Sequence, residues 1–194
     1  MAAQREILQF ETAEAWEQWL AAHADASAGV ALKLAKKGSA FSTPTHAEAL
    51  DVALCHGWID GVRNALDDDF FLQTFMPRTK RSTWSQVNRD KVAALIDAGR
   101  MRAGGQAEID RAKADGRWDA AYASQKTIEV PDDLAAALAA SPAALAFFGR
   151  LSSQNRYAIL FRTHQAKRPE TRARRIAQFV DQLERGETIY PQKS

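Results

Sequence analysis

Cysteine is nearly missing from this chain: Cys55 is the only one among 194 residues. A single thiol cannot close an internal disulfide, which excludes a disulfide-stapled secreted scaffold. An excess of one charge is missing too. The 26 lysines and arginines stand against 24 aspartates and glutamates, for a net +2. That surplus is too mild for a chain that coats nucleic acid, so any basic function must come from local clustering. No apolar run approaches the roughly 20 residues that a membrane-crossing helix needs. The opening residues Met1 to Glu6 contain no apolar signal-peptide core, so a cytoplasmic location without membrane insertion is expected. Phosphate-binding glycine loops, dinucleotide fingerprints and the Gly-x-Ser-x-Gly elbow are absent. His23, His46, His56 and His164 are scattered, with no helical histidine pair and no second thiol. Neither a metal nor a cofactor is expected.

What is present reads as globular. Hydrophobic residues make up 46% and charged residues 26%, which is ordinary for a folded protein. The length suits one domain with a helical appendage. A short strand over Ile7–Phe10 precedes a helix capped by Thr12, with Trp16, Trp19 and Leu20 on one stripe. Val30–Ala35 alternates as a strand with Val30, Leu32 and Leu34 inward. Thr45 and Glu48 form a capping box for a helix that stops at Gly57. Trp58 opens a strand, Leu66–Asp69 is a turn, and Phe70–Met76 returns as its hairpin partner. Pro77 breaks the pattern, Ser85 caps the next helix, and a further helix lies around Ala107–Ala114.

Beyond about Ser124 the chain reads as a polar linker followed by helices, starting at Pro131, at Ser141-Pro142, at Ser152 or Ser153, and near Pro169. The fold class is therefore α+β. A small, mostly antiparallel sheet flanked by helices occupies residues 1–123, and a basic helical domain follows over residues 124–194.

The chemistry concentrates in one stretch. Arg78, Lys80 and Arg81 precede a helix N-terminus, with Ser82, Thr83 and Ser85 as hydroxyl donors and Trp84 as a flat apolar face. Free amides and the helix dipole favour an anion at such a place. Lys36 and Lys37 form a second cationic turn, which matters only if folding brings it to the first. Cys55, His56, Trp58 and Asp60 crowd a helix-to-strand junction. Neighbours at i and i+1 point different ways on a helix, so Cys55 reads as a small buried hydrophobe. Asp60 reads as a turn residue that orients a nearby arginine or lysine. His56 with Asp60 is the alternative acid/base pair. In the C-terminal part, helical phase aligns Arg172 with Ile176, Phe179 and Leu183. It should pair with a carboxylate, Glu170 or one in the first domain, and the remaining arginines suit an acidic partner.

Four separated groups of residues then point in one direction. They are Leu34 to Ser39, Ala53 to Gly61, Phe75 to Arg78 with Arg81 to Ser85 and Asn88, and Ala166 to Arg172 with Arg175 and Ile176. Together they resemble the YdeI/OmpD-associated family, labelled bacteriocin-protection proteins. The resemblance implies tolerance of bacteriocins or antimicrobial peptides, a helical OmpD-associated domain in the last third, and no assigned catalytic residues. The motifs that carry the resemblance coincide with the two cationic segments, so a joint ligand site is expected, comprising Lys36, Lys37, Trp58, Asp60, Arg78, Lys80, Arg81, Ser82, Trp84, Ser85 and Asn88.

Three functions compete. The first is a non-enzymatic stress protein binding an anionic small molecule or an acidic protein surface through the basic loop at the helix start of Ser85. The second is a nucleic-acid binder using Trp84 and the C-terminal arginines, against which the near-neutral net charge weighs. The third is an enzyme using Asp60 or His56. Strand order and oligomeric state are not legible.

Overall fold

Alternating Val30, Leu32 and Leu34 give strand β2 (Val30–Ala35) one buried face, and the sheet is built outward from it. The computed structural model of the chain describes residues 5–192. It divides into two compact units, Met1–Ala121 and Tyr122–Ser194.

In the first unit, β1 (Ile7–Leu8) pairs parallel with β2, and β2 pairs antiparallel with β4 (Phe70–Pro77). The hairpin expected from the sequence forms between β3 (Trp58–Ala65) and β4, with an irregularity between Asp60 and Arg63. The sheet order is β1-β2-β4-β3. Among the described residues only the short β1 pairing is parallel, because a helix intervenes between β1 and β2 and carries the chain across to run the same way.

That helix, α1 (Ala13–His23), is capped by Thr12, whose side chain accepts from the Ala15 amide. It buries Trp16, whose indole Nε1 donates to the Ala49 carbonyl at 3.1 Å. Helix α2 (His46–Cys55) begins with the capping box of Thr45 and Glu48. The backbone and side-chain hydrogen bonds from Thr45 hold the Glu48 carboxyl below its ordinary range. Helices α3 (Gln86–Asp97) and α4 (Ala103–Ala114) complete the unit. Trp16, Trp58, Phe75, Trp84 and Ile109 lie in one core with the inward face of β2.

Four helices make up the second unit's regular structure among the described residues: α5 (Asp132–Ala139), α6 (Pro142–Gly149), α7 (Ser153–Gln165) and α8 (Pro169–Glu184). Its separate core holds Leu134, Leu138, Phe148, Leu160, Ile176 and Phe179. Among the described residues no single helix is long and apolar enough to cross a membrane.

Candidate functional site

The cationic loop folds onto itself. Arg78 leaves β4 with its amide donating to the Gly57 carbonyl at 3.0 Å. Its guanidinium lies 3.7 Å from the Trp84 ring centre, and Nη1 donates to the Thr83 carbonyl at 3.1 Å. Arg78 is 6% exposed and Trp84 only 2%. Trp84 is therefore an anchor wedged edge-on against Trp118, not the open stacking face read from the sequence.

Two of the three hydroxyls accept hydrogen bonds from the backbone. Ser82 Oγ accepts from the Thr79 amide at 2.9 Å, and Ser85 Oγ accepts from the Asn88 amide at 3.1 Å. Arg117, 35 residues away, donates from Nη1 to the Ser82 carbonyl at 3.0 Å and to the buried Glu108 at 2.9 Å. Lys80 and Arg81 remain exposed, and Asn88 is half-buried. Nothing local in the sequence marks Arg117 and Glu108 as partners of this loop.

The expected joint site does not assemble. Ala35 lies opposite Phe70 and Trp58 opposite Pro77, so Lys36 and Arg78 sit at opposite ends of β4. At about 3.3 Å per residue the strand alone holds its two ends roughly 23 Å apart. Lys36 turns to the hairpin, its Nζ donating to the Asp67 carbonyl at 2.6 Å, while Lys37 is exposed. Trp58 is a core residue, packed edge-on to Trp16 and Trp19. Asp60 orients neither an arginine nor a lysine: it accepts from His46 Nε2 at 3.1 Å, linking the start of α2 to β3.

His56 faces elsewhere, so the His56–Asp60 pair is replaced by His46–Asp60. It lines a cleft of about 640 Å³ with Glu14, Glu17, Asp25, Arg102 and Gly104. Arg102 is held there by Glu17 through two bonds, 3.0 Å from Nε and 2.6 Å from Nη2. His56 Nε2 is buried without a partner among the described residues. Burial lowers its pKa, so the neutral ring is favoured. With three carboxylates against Arg102, this cleft does not attract anions. Burial also pushes the neighbouring Cys55 thiol up, which keeps it protonated and inert, as a core residue should be.

The second unit gathers exposed cations. Its sequence carries 11 lysines and arginines against 7 acids, whereas the first unit has 15 against 17. The last carbonyls of a helix lack their full set of backbone donors, and at the end of α7 side chains of α8 donate to two of them. Arg172 Nη1 donates to the Thr163 carbonyl at 2.8 Å and Arg175 Nη1 to the Arg162 carbonyl at 2.6 Å. Arg172 also grips Asp133 through Nε at 2.5 Å and Nη2 at 2.9 Å. Its carboxylate partner is thus Asp133, 39 residues away, and neither Glu170 nor a group of the first domain. That hydrogen bond lowers the Asp133 pKa. Around this α7–α8 corner Arg162, Lys167, Arg168 and Arg174 are exposed. None of the four pairs with a carboxylate among the described residues.

Comparison with known families divides the chain at similar places. Residues 8–108 match the model described as domain of unknown function DUF8412. Residues 127–186 match the model described as Bacteriocin-protection, YdeI or OmpD-Associated. No curated protein and no solved structure gives a significant match.

Proposed function

Because the chain belongs to the DUF8412 family and carries a bacteriocin-protection, YdeI or OmpD-associated domain, we propose that it is a non-enzymatic protection protein that docks an acidic partner on its α7–α8 corner. One observation carries this reading. The end of α7 and the start of α8 are tied together by Arg172 and Arg175, and the nearby Lys167, Arg168 and Arg174 are exposed and form no ion pair among the described residues. Exposed cations held on rigid helix ends steer an oppositely charged surface and fix its register. The loop at Lys80 and Arg81 offers a smaller second patch, since Arg78 and Trp84 are bound up in its fold. The acid/base pair of His56 with Asp60 does not carry a catalytic reading, because Asp60 is hydrogen-bonded to His46 instead and Cys55 is buried.

Titration of the full chain with labelled poly-glutamate at low salt tests the proposal. Binding should weaken at least tenfold in the Lys167→Glu, Arg168→Glu, Arg174→Glu variant and change little in the Lys80→Glu, Arg81→Glu variant. The opposite ranking would move the site to the loop. Tighter binding of duplex DNA, falling steeply with salt, would support the nucleic-acid reading instead. No binding of poly-glutamate to the unaltered chain would end the acidic-partner reading.

A further inference from the structure

Helices α5 and α6 are short, apolar and folded back on one another, with a bend of 118° between them. Where they meet α7 they leave a cavity of about 310 Å³ lined by Val130, Leu138, Leu145, Phe148 and Gly149, with Arg156 on its wall. Two features distinguish it from an ordinary packing gap. Leu145 is 49% exposed at the mouth, an apolar side chain left without cover. Arg156, the one charged residue of the lining, lies with its guanidinium 4.4 Å from the Phe148 ring centre. It has no carboxylate partner among the described residues.

From this we infer a ligand site for a small amphiphile: an aliphatic chain that ends in a single carboxylate. The chain displaces water from exposed Leu145 and half-buried Val130, each square ångström of apolar surface contributing about 25 cal/mol. Covering Arg156 with a neutral ligand would strip its hydration without replacing it, which is costly. A carboxylate supplies a charge-assisted hydrogen bond in exchange, and a cationic head is repelled. The volume lies at the lower end of ligand pockets, which suits one acyl chain. The site is concave and has one polar anchor, so it fits a free acyl carboxylate better than a membrane surface or an extended peptide. It is separate from the α7–α8 corner and stands or falls independently of it.

The probe is decanoate, followed by calorimetry and by the shift in melting temperature of the full chain. Saturable binding is expected, with decyltrimethylammonium and decanol much weaker. Arg156→Gln should weaken decanoate at least tenfold. Gly149→Leu should abolish binding while leaving the helical circular dichroism intact, because a Cβ at Gly149 meets nothing within 4 Å and its φ is not positive. The site is refuted by any of four results: no saturable decanoate binding, equal binding of decyltrimethylammonium, full binding in both variants, or attachment to phosphatidylglycerol vesicles without decanoate binding.

Discussion

At the scale of single residues, the kinds of side chain were readable in the sequence and their partners were not. Arg172 was placed on the buried side of its helix by phase alone, yet its partner Asp133 lies 39 positions away. Arg78 and Trp84 advertise an anion site by composition, but a guanidinium also stacks well on an indole, and here that pairing consumes both. His56 is the residue with the clearest pH consequence. Burial lowers its folded pKa, while Glu17 and Asp25 pull it up and Arg102 pushes it down. Unfolded, it titrates at about 6.5. Between the two values the unfolded chain binds more protons, so stability rises with pH there and is lost as pH falls through that window. The urea midpoint, read by tryptophan fluorescence, should therefore drop from about pH 7.5 to about pH 5.5, and His56→Gln should flatten the drop. An unchanged slope in the variant would mean that other groups carry it.

At the scale of elements, local rules worked wherever a cap or an alternation was present. Thr12, Thr45, Ser85, Ser141 and Ser152 each accept the expected backbone amide, and β2 runs over Val30–Ala35 as its alternation indicates. Helix α4 is the exception. It starts at Ala103 rather than near Ala107, after Arg102, whose side chain makes no cap, and through Gly104 and Gly105. Paired glycines argue against a helix on propensity. The reason for them is tertiary: a Cβ at Gly105 would stand 2.3 Å from the Cys55 carbonyl oxygen and 2.4 Å from Met101 Sδ. Only a bare backbone lets α4 approach the end of α2, where Gly57 turns the chain at φ +78°. Gly105→Ala should accordingly cost on the order of 3 kcal/mol in chemical denaturation, since overpacking against backbone cannot relax by a rotamer change. Gly149→Ala, with open space around it, serves as the near-neutral comparison. Equal stability of the two variants would show that the α2–α4 approach is looser than this geometry requires.

At the scale of the whole molecule, composition hinted at two parts before any contact was known, because the acids and bases are distributed unevenly along the chain. The division falls between Ala121 and Tyr122, and each side has its own core. What the sequence could not supply was long-range order, such as which ends of β2 and β4 adjoin, and the expected convergence of the two cationic turns depended on it. The same segregation provides a physical test of the division. All five tryptophans, Trp16, Trp19, Trp58, Trp84 and Trp118, fall in the first unit, and all three tyrosines, Tyr122, Tyr157 and Tyr190, fall in the second. Leu134 is fully buried in the second core, so Leu134→Ala should remove about 2–5 kcal/mol there through lost transfer energy and a cavity. If each core is a cooperative unit, tyrosine emission and much of the helical signal will melt early in this variant. The tryptophan transition will keep its unaltered midpoint. A single shared transition that moves both probes together would make the chain one cooperative body, and the charge contrast between its halves would then be a surface property of one domain.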